Sequence, residues 1–284
     1  MNHHANPSLP VVLTIAGFDP SSGAGISADL KTLAAHNCYG VAAITALTIQ
    51  NTQGVAALHP VDATVLKESI ECLLADDRVR AVKVGMLGNR ANAQVVREVL
   101  AAHTALPAVL DPVLRSTSGL ELMDAEGLEF LRSHLLSYVR VITPNIGEAA
   151  ALTGLRVENI ESMKAAARKL VEMGARAAVV TGGHLEKAVD VLYDGTGIET
   201  FVGDHVKPDN THGTGCTFSS AIAANLALGR HLRDAVVLAK AYVTEAIRKA
   251  YPVGPGSIPL NHLFRMSQSP RVTDHAPAVP EPVH

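Results

Sequence analysis

Hydrophobic and polar positions alternate along this chain in two rhythms. Short, largely apolar runs cover Leu9 to Ala16, Val41 to Ile49, Ala81 to Val84, Ala108 to Leu110, Val139 to Ile142 and Ala177 to Val180. Runs of this kind predict strands buried on both faces, as in a parallel sheet. Between them, Ile26 to His36, Ala63 to Leu74, Ala91 to His103, Asp124 to Leu136 and Ile160 to Met173 carry apolar residues at helical spacing. The alternation predicts an α/β fold, a doubly wound and mostly parallel sheet with helices on both faces. Ala188 to Tyr193 and Ile198 to Val202, joined by Asp194-Gly195-Thr196-Gly197, predict a small antiparallel hairpin at the sheet edge. Two further helices are expected at about Thr214 to Leu228 and Leu232 to Lys249. Gly254-Pro255-Gly256 then breaks the pattern before a short closing segment to Phe264. No internal repeat or linker divides the chain. One domain is expected over 9–265, with a flexible N-terminus at 1–8 and a disordered, proline-bearing tail at 266–284.

In an open parallel sheet, ligands bind beyond the carboxyl ends of the strands. That rule gathers several loops along one rim: Ala16 to Gly25, Gln50-Asn51-Thr52, Gly85-Met86-Leu87, Asp111-Pro112-Val113, Thr143-Pro144-Asn145 and Thr181-Gly182-Gly183-His184. The turn His212-Gly213-Thr214-Gly215-Cys216-Thr217 joins them at the start of an apolar helix. Small residues there let several amide N–H groups converge, and the helix adds the positive end of its dipole. Such a nest suits an anion that grows during a reaction, with the Cys216 side chain beside the reacting atom. Taken alone, the hexapeptide is equally a tight loop with a helix cap.

The other loops carry candidate chemistry, each with a plainer alternative. The first loop holds Gly23 and Gly25 but lacks the strict G-x-G-x-x-G spacing, which argues against nucleotide binding there. Asp29, one turn into the following helix, either hydrogen-bonds a ring amine or hydroxyl or is a solvated surface carboxylate. Gln50 follows a strand directly, where its amide either reads a heterocycle edge or caps loose backbone. Met86 is either a soft wall for a ring or core filler. Asp111 ends a strand before a proline, and Glu148 stands near a helix start. Two carboxylates on one rim can share a hydrated magnesium ion of the kind phosphoryl transfer needs. Glu148 is otherwise explained by favourable placement in a first helical turn.

Composition removes other classes. The chain has 284 residues, 48% hydrophobic and 18% charged, with a formal net charge of −3. That balance describes a globular protein and gives no reason to expect nucleic-acid binding. No window approaches the roughly 20 apolar residues of a membrane helix, and the N-terminus lacks a signal-peptide pattern. Cysteines at 38, 72 and 216 form neither a CxxC pair nor an even-numbered framework, so a cytoplasmic location is expected. Thirteen scattered histidines offer no zinc spacing.

Taken in order, Ala16 to Thr32 (AGFDPSSGAGISADLKT), Ile44 to Val55 (ITALTIQNTQGV), Val84 to Leu87 (VGML), Thr143 to Ala149 (TPNIGEA) and His212 to Thr217 (HGTGCT) resemble the ribokinase-like superfamily. Within it the chain looks like the vitamin-kinase branch, specifically the bacterial hydroxymethylpyrimidine/phosphomethylpyrimidine kinases, from about Val11 to Phe264. The resemblance implies ATP-dependent phosphorylation of 4-amino-5-hydroxymethyl-2-methylpyrimidine, and then of its monophosphate, in thiamine biosynthesis. It also implies that Gly17, Asp29, Gln50, Met86 and Val113 face the pyrimidine. Asp111 and Glu148 would support magnesium, and Asn145, Thr181 and Gly182 would lie beside the nucleotide. Gly213, Thr214, Gly215 and Cys216 would form the anion hole, and the protein would be a homodimer. Sugar kinases of this superfamily usually carry an Asp base where this chain has Cys216. A cysteine there looks like the pyrimidine and bacterial pyridoxal kinase pattern. A thiol has a reference pKa of about 8.5, lowered near a helix N-terminus, so a thiolate base is an expectation to test. Many relatives carry lysine where this chain has Thr181, so one nucleotide contact differs here.

Two other functions fit parts of the pattern. A pyridoxal kinase of vitamin B6 salvage shares the Gly-Thr-Gly-Cys turn and the early glycine loop, whereas Gln50 and Met86 favour an aminopyrimidine. A non-catalytic vitamin sensor would keep the fold, but the pair Asp111 and Glu148 beside an intact anion hole argues against it.

Overall fold

The computed structural model describes residues 8–76, 78–183, 188–203, 205–208 and 210–266. The expected flexible N-terminus and disordered tail fall outside these residues apart from Ser8 and Met266, as does His184 of the rim loops. The strands are β1 (Val11–Phe18), β2 (Tyr39–Asn51), β3 (Gly54–Pro60), β4 (Val79–Val84), β5 (Ala108–Leu110), β6 (Val141–Ile142), β7 (Ala178–Gly182), β8 (Ala188–Tyr193), β9 (Ile198–Gly203), β10 (Thr211–His212) and β11 (Ile258–Pro259). The helices are α1 (Gly25–Ala35), α2 (Ala63–Leu74), α3 (Arg90–Ala102), α4 (Ala125–Phe130), α5 (Ile146–Thr153), α6 (Ile160–Glu172), α7 (Thr214–Ala227) and α8 (Leu232–Arg248).

The main sheet has nine strands in the order β3-β2-β1-β4-β5-β6-β7-β8-β9. Pairing is parallel from β2 through β7 and antiparallel at both edges. The chain leaves β1 to one side for β2 and returns to its other side for β4. The crevice beyond the carboxyl ends of β1 and β4 is therefore the topological switch point, where such sheets bind ligands.

Successive strand residues serve two separate cores. Leu13, Val82, Leu110, Ile142 and Val180 pack against α2, α3, α5 and α6. Their neighbours Val12, Ala81, Val109, Val141 and Val179 pack under α7 and α8. A side-chain period of two with both faces covered is what makes these strands continuously apolar in sequence. Ala223, Ala224 and Ala239 let α7 and α8 approach the sheet and each other, and all three are fully buried.

Three elements differ from expectation. β3 was not foreseen, because Gly54–Pro60 is mostly half-buried and its short apolar stretch reads as a loop; it pairs with a β2 that runs to Asn51. The helix expected over Asp124 to Leu136 is regular only to Phe130, then widens to a π turn at Leu131–Leu135 and tightens to a 3-10 turn at Leu136–Tyr138. The small parallel pair β10 and β11 brings the closing segment beside the residues that open α7.

Candidate active site

The α7 mouth is built by contact between two backbones. Gly213 caps the helix at φ 87°, a left-handed conformation that residues with a Cβ rarely adopt. A Cβ there would lie 1.9 Å from the carbonyl oxygen of Gly23 in the first loop. Thr217 closes the turn by donating its N–H and its hydroxyl to Gly213 O at 2.9 and 2.8 Å. That spends the Thr217 proton, so Nε2–H of buried His262, 3.0 Å away, is the donor to its Oγ. The first-turn amides of α7 have no carbonyl of their own helix to meet and open towards the rim. Gly215 sits over Asp111, where an added Cβ would lie 3.5 Å from Oδ2.

Cys216 is half-buried in that turn. Its thiol donates towards Asp111, and the backbone N–H of Gly25 approaches the sulfur. Burial pushes the thiol up to about 12, with Asp111 and Asp29 adding to the rise and Lys83 opposing it. The expectation of a thiol lowered by the helix N-terminus is therefore corrected. In this structure Cys216 keeps its proton, because burial disfavours the charged thiolate and the neighbouring carboxylates add to that.

Asp111 is buried at the end of β5 and accepts Ser219 Oγ at 3.3 Å. Glu148 lies in the first turn of α5, where Asn145 and Glu148 form a reciprocal capping box with both bonds at 2.9 Å. The backbone N–H of Leu114, from the loop after β5, also reaches the Glu148 carboxylate. Burial, and then Asp111 repulsion, hold Glu148 well above its ordinary range. Burial likewise raises Asp111, with Lys83 pulling it down. Among the described residues no group of three or more His, Cys, Asp or Glu side chains could enclose a metal. Two carboxylates that repel one another do fit a magnesium ion that keeps most of its waters and takes further oxygens from phosphates.

The apolar side of the crevice is a small cluster of Ala46, Met86 and Leu122, with Leu58 and Val113 packed on it. Gly17, next to last in β1, lies directly against Met86: an added Cβ would sit 1.9 Å from the Met86 methyl. Gly17, Met86 and Val113 thus come together as one wall. Gln50 reaches it from β2, accepting from Thr48 at 3.0 Å and standing 3.2 Å from His212 Nε2. Asn145 and Thr181 are joined by a parallel bridge, with Thr181 N–H donating to Pro144 O at 2.9 Å. Gly182 follows them, buried, on the same rim.

Asp29 departs from expectation. It is neither solvated nor presented to a ring, having no exposed surface. Oδ2 accepts Thr14 Oγ1 at 2.6 Å and Lys83 Nζ at 2.9 Å, and Oδ1 accepts Ser220 Oγ at 2.8 Å. The protein itself supplies the donors a substrate would have offered. Two contributors were missed in the sequence. Lys83 interrupts the apolar run Ala81 to Val84, and a lysine in a strand buried on both faces is a signal that could have found it. Asp19 shapes the first loop by accepting from Ser21 N and Oγ, Gly23 N, Ala24 N and His212 Nε2. Although its burial acts the other way, the His212, Ser21 and Ala24 hydrogen bonds hold Asp19 below the ordinary carboxylate value.

A separate open recess of about 570 Å³ lies between β9 and α8, lined by Phe201, Lys240 and Arg248 among others. It holds neither the glycine turn nor the carboxylate pair, so the rim is the candidate site.

The sheet order, with the glycine turn at its switch-point rim, defines a ribokinase-like α/β kinase fold. The sequence profile of the phosphomethylpyrimidine kinase family matches residues 19–261. The hydroxymethylpyrimidine/phosphomethylpyrimidine kinase of Aquifex aeolicus is 42% identical over 87% of this chain and 97% of its own length. The thiamine biosynthesis bifunctional protein ThiED of Geobacter sulfurreducens is also 42% identical, over 89% of this chain; the match spans about half (52%) of that longer protein. An ADP complex of Bacillus subtilis pyridoxal kinase superposes with a TM-score of 0.84 at 34% identity, covering 91% of this chain and 99% of that one. This chain belongs to the phosphomethylpyrimidine kinase family.

Proposed function

We propose that this protein transfers the γ-phosphoryl group of ATP to the hydroxymethyl oxygen of 4-amino-5-hydroxymethyl-2-methylpyrimidine, and then phosphorylates the resulting monophosphate to the diphosphate, within thiamine biosynthesis. The observation that carries the reading is the α7 mouth: a left-handed Gly213 turn whose first-turn amides open beside buried Asp111 at the switch-point rim. In each step the alcohol or phosphate oxygen forms a bond to the γ-phosphorus while the bond to the β-phosphate oxygen of ADP breaks. The amides of Thr214, Gly215 and Cys216 receive the charge on the moving group.

Gly17, Met86 and Val113 form the wall for the ring, and Gln50 reads its polar edge. Asn145, Thr181 and Gly182 lie along the nucleotide. Asp111 and Glu148 hold magnesium, which when bound neutralises the polyphosphate. A protonated Cys216 is compatible with this chemistry. In a loose transition state the attacking oxygen loses its proton late, and positioning carries most of the rate. The same reading places the protein in the reducing cytoplasm, supported by free thiols at Cys38, Cys72 and Cys216. Among the described residues no helix is long and apolar enough to cross a membrane. A homodimer is part of the proposal, supported by exposed apolar residues on the edge hairpin such as Val202.

The structural likeness to a pyridoxal kinase makes that reaction the second reading. Purified protein given MgATP with the pyrimidine alcohol, its monophosphate or pyridoxal decides between them by ADP release. Both pyrimidines are expected to turn over with a higher kcat/KM than pyridoxal. A large preference for pyridoxal overturns the substrate assignment, and tight pyrimidine binding without ADP release indicates a sensor.

A further inference from the structure

Beneath the α7 mouth lies a buried cation that the proposed chemistry does not use. Lys83 and Asp29 both have fully buried side chains, their charged atoms 2.9 Å apart. Asp29 is well supplied, with Thr14, Lys83 and Ser220 all donating to it. Lys83 is not. Among the described residues its three-proton ammonium has one hydrogen-bond acceptor, Asp29. The backbone of Gly85 leaves room above the ammonium, where a Cβ would come within 2.7 Å of Nζ. Asp111 acts electrostatically on the same ammonium.

A purely structural pair in a dry core gains little over apolar residues of the same volume. An ammonium left with protons to spare is costlier still. Its location supplies a use. Ser219 and Ser220, consecutive in the second turn of α7, hydrogen-bond Asp111 and Asp29 respectively. The helix that carries the glycine turn is therefore pinned to two carboxylates, and Lys83 bears on both of them.

We propose that Lys83, fixed by Asp29, is a positioning residue for phosphoryl transfer: a permanent positive charge under the α7 mouth that holds Asp111 and the Gly213–Cys216 turn in register. The inference rests on the reading of that mouth as the phosphoryl site. It predicts an effect on turnover rather than on pyrimidine binding, because the wall formed by Gly17, Met86 and Val113 is a separate cluster.

The test compares Lys83→Met, Asp29→Asn and the double variant, each by thermal denaturation and by steady-state kinetics with MgATP and the pyrimidine alcohol. Each single change strands a polar or charged partner and should lower the melting temperature. The double variant removes both charges and should recover most of that loss. With stability recovered, kcat is expected to stay at least about 30-fold below wild type, while KM for the pyrimidine changes less than about threefold. A double variant that regains both stability and kcat makes the pair merely structural and overturns the proposal. So does a loss confined to KM. Gly213→Ala, assayed in parallel, separates failure of the site reading: if it keeps wild-type turnover, the α7 mouth is not the phosphoryl site.

Discussion

Two pairs of charged side chains lie within the same part of this molecule, and they are treated in opposite ways. Lys83 and Asp29 carry opposite charges, are sealed from solvent, and receive further donors from Thr14 and Ser220. Asp111 and Glu148 are both carboxyls at the rim, each raised first by burial, with Asp111 repulsion adding to the rise of Glu148. The first pair is neutralised when the chain folds. The second is left short of positive charge, as expected of a seat for a cation that arrives with substrate. Compensation inside the protein marks a charge fixed in place, and its absence marks a seat open to a ligand's charge.

The largest expected effect comes from weakening the second pair at its buried member. Asp111→Asn preserves shape and the Ser219 contact but removes the charge, and should lower kcat by about 10²–10³-fold with little change in melting temperature. Steady-state kinetics with a denaturation curve checks this. Equal losses of activity and stability would mean that Asp111 serves the fold and not the cation seat.

A pH experiment separates the pairs next. The native Glu148 carboxyl holds its proton more tightly than its ordinary value of 4.5, at about 8, so the native state binds more protons than the unfolded chain between those values. Stability contributed by this group is present at acid pH and is lost as pH rises through that window. Glu148→Gln should flatten the fall in melting temperature between pH 5 and 8, and magnesium chloride should offset that fall in wild type alone. An unchanged slope in the variant would remove Glu148 from the pair. The smallest effects belong to the two serines. Ser219→Ala and Ser220→Ala should each cost about 1 kcal/mol of stability by denaturant titration. Only Ser219→Ala should also alter the magnesium concentration needed for half-maximal activity.

Much of the fold was legible because strands buried on both faces leave largely apolar runs, uninterrupted in Ala177 to Val180. β3 was not, because a half-buried edge strand carries no such signature. The rim was legible through residues whose identity is forced by backbone: Gly213, which must adopt a positive φ, and Gly17, which must make room for Met86. The role of Asp29 was misread because a carboxylate's partners come from β1, β4 and α7, far apart in sequence. Cys216 was misread for a related reason. The helix N-terminus is visible in sequence, but the burial that opposes thiolate formation, and the Asp111 repulsion that adds to it, arise only on folding.

The contact of Gly213 with the Gly23 carbonyl has a consequence for how this enzyme can diverge. A Cβ at Gly213 would drive into the Gly23 carbonyl, and a Cβ at Gly23 would lie 2.7 Å from the His212 ring beside it, so neither loop can drift freely. On the proposed reading, new substrate preference would arise along the Gln50–Met86 wall, where side chains rather than main chains meet, and the α7 mouth would be inherited as a single unit.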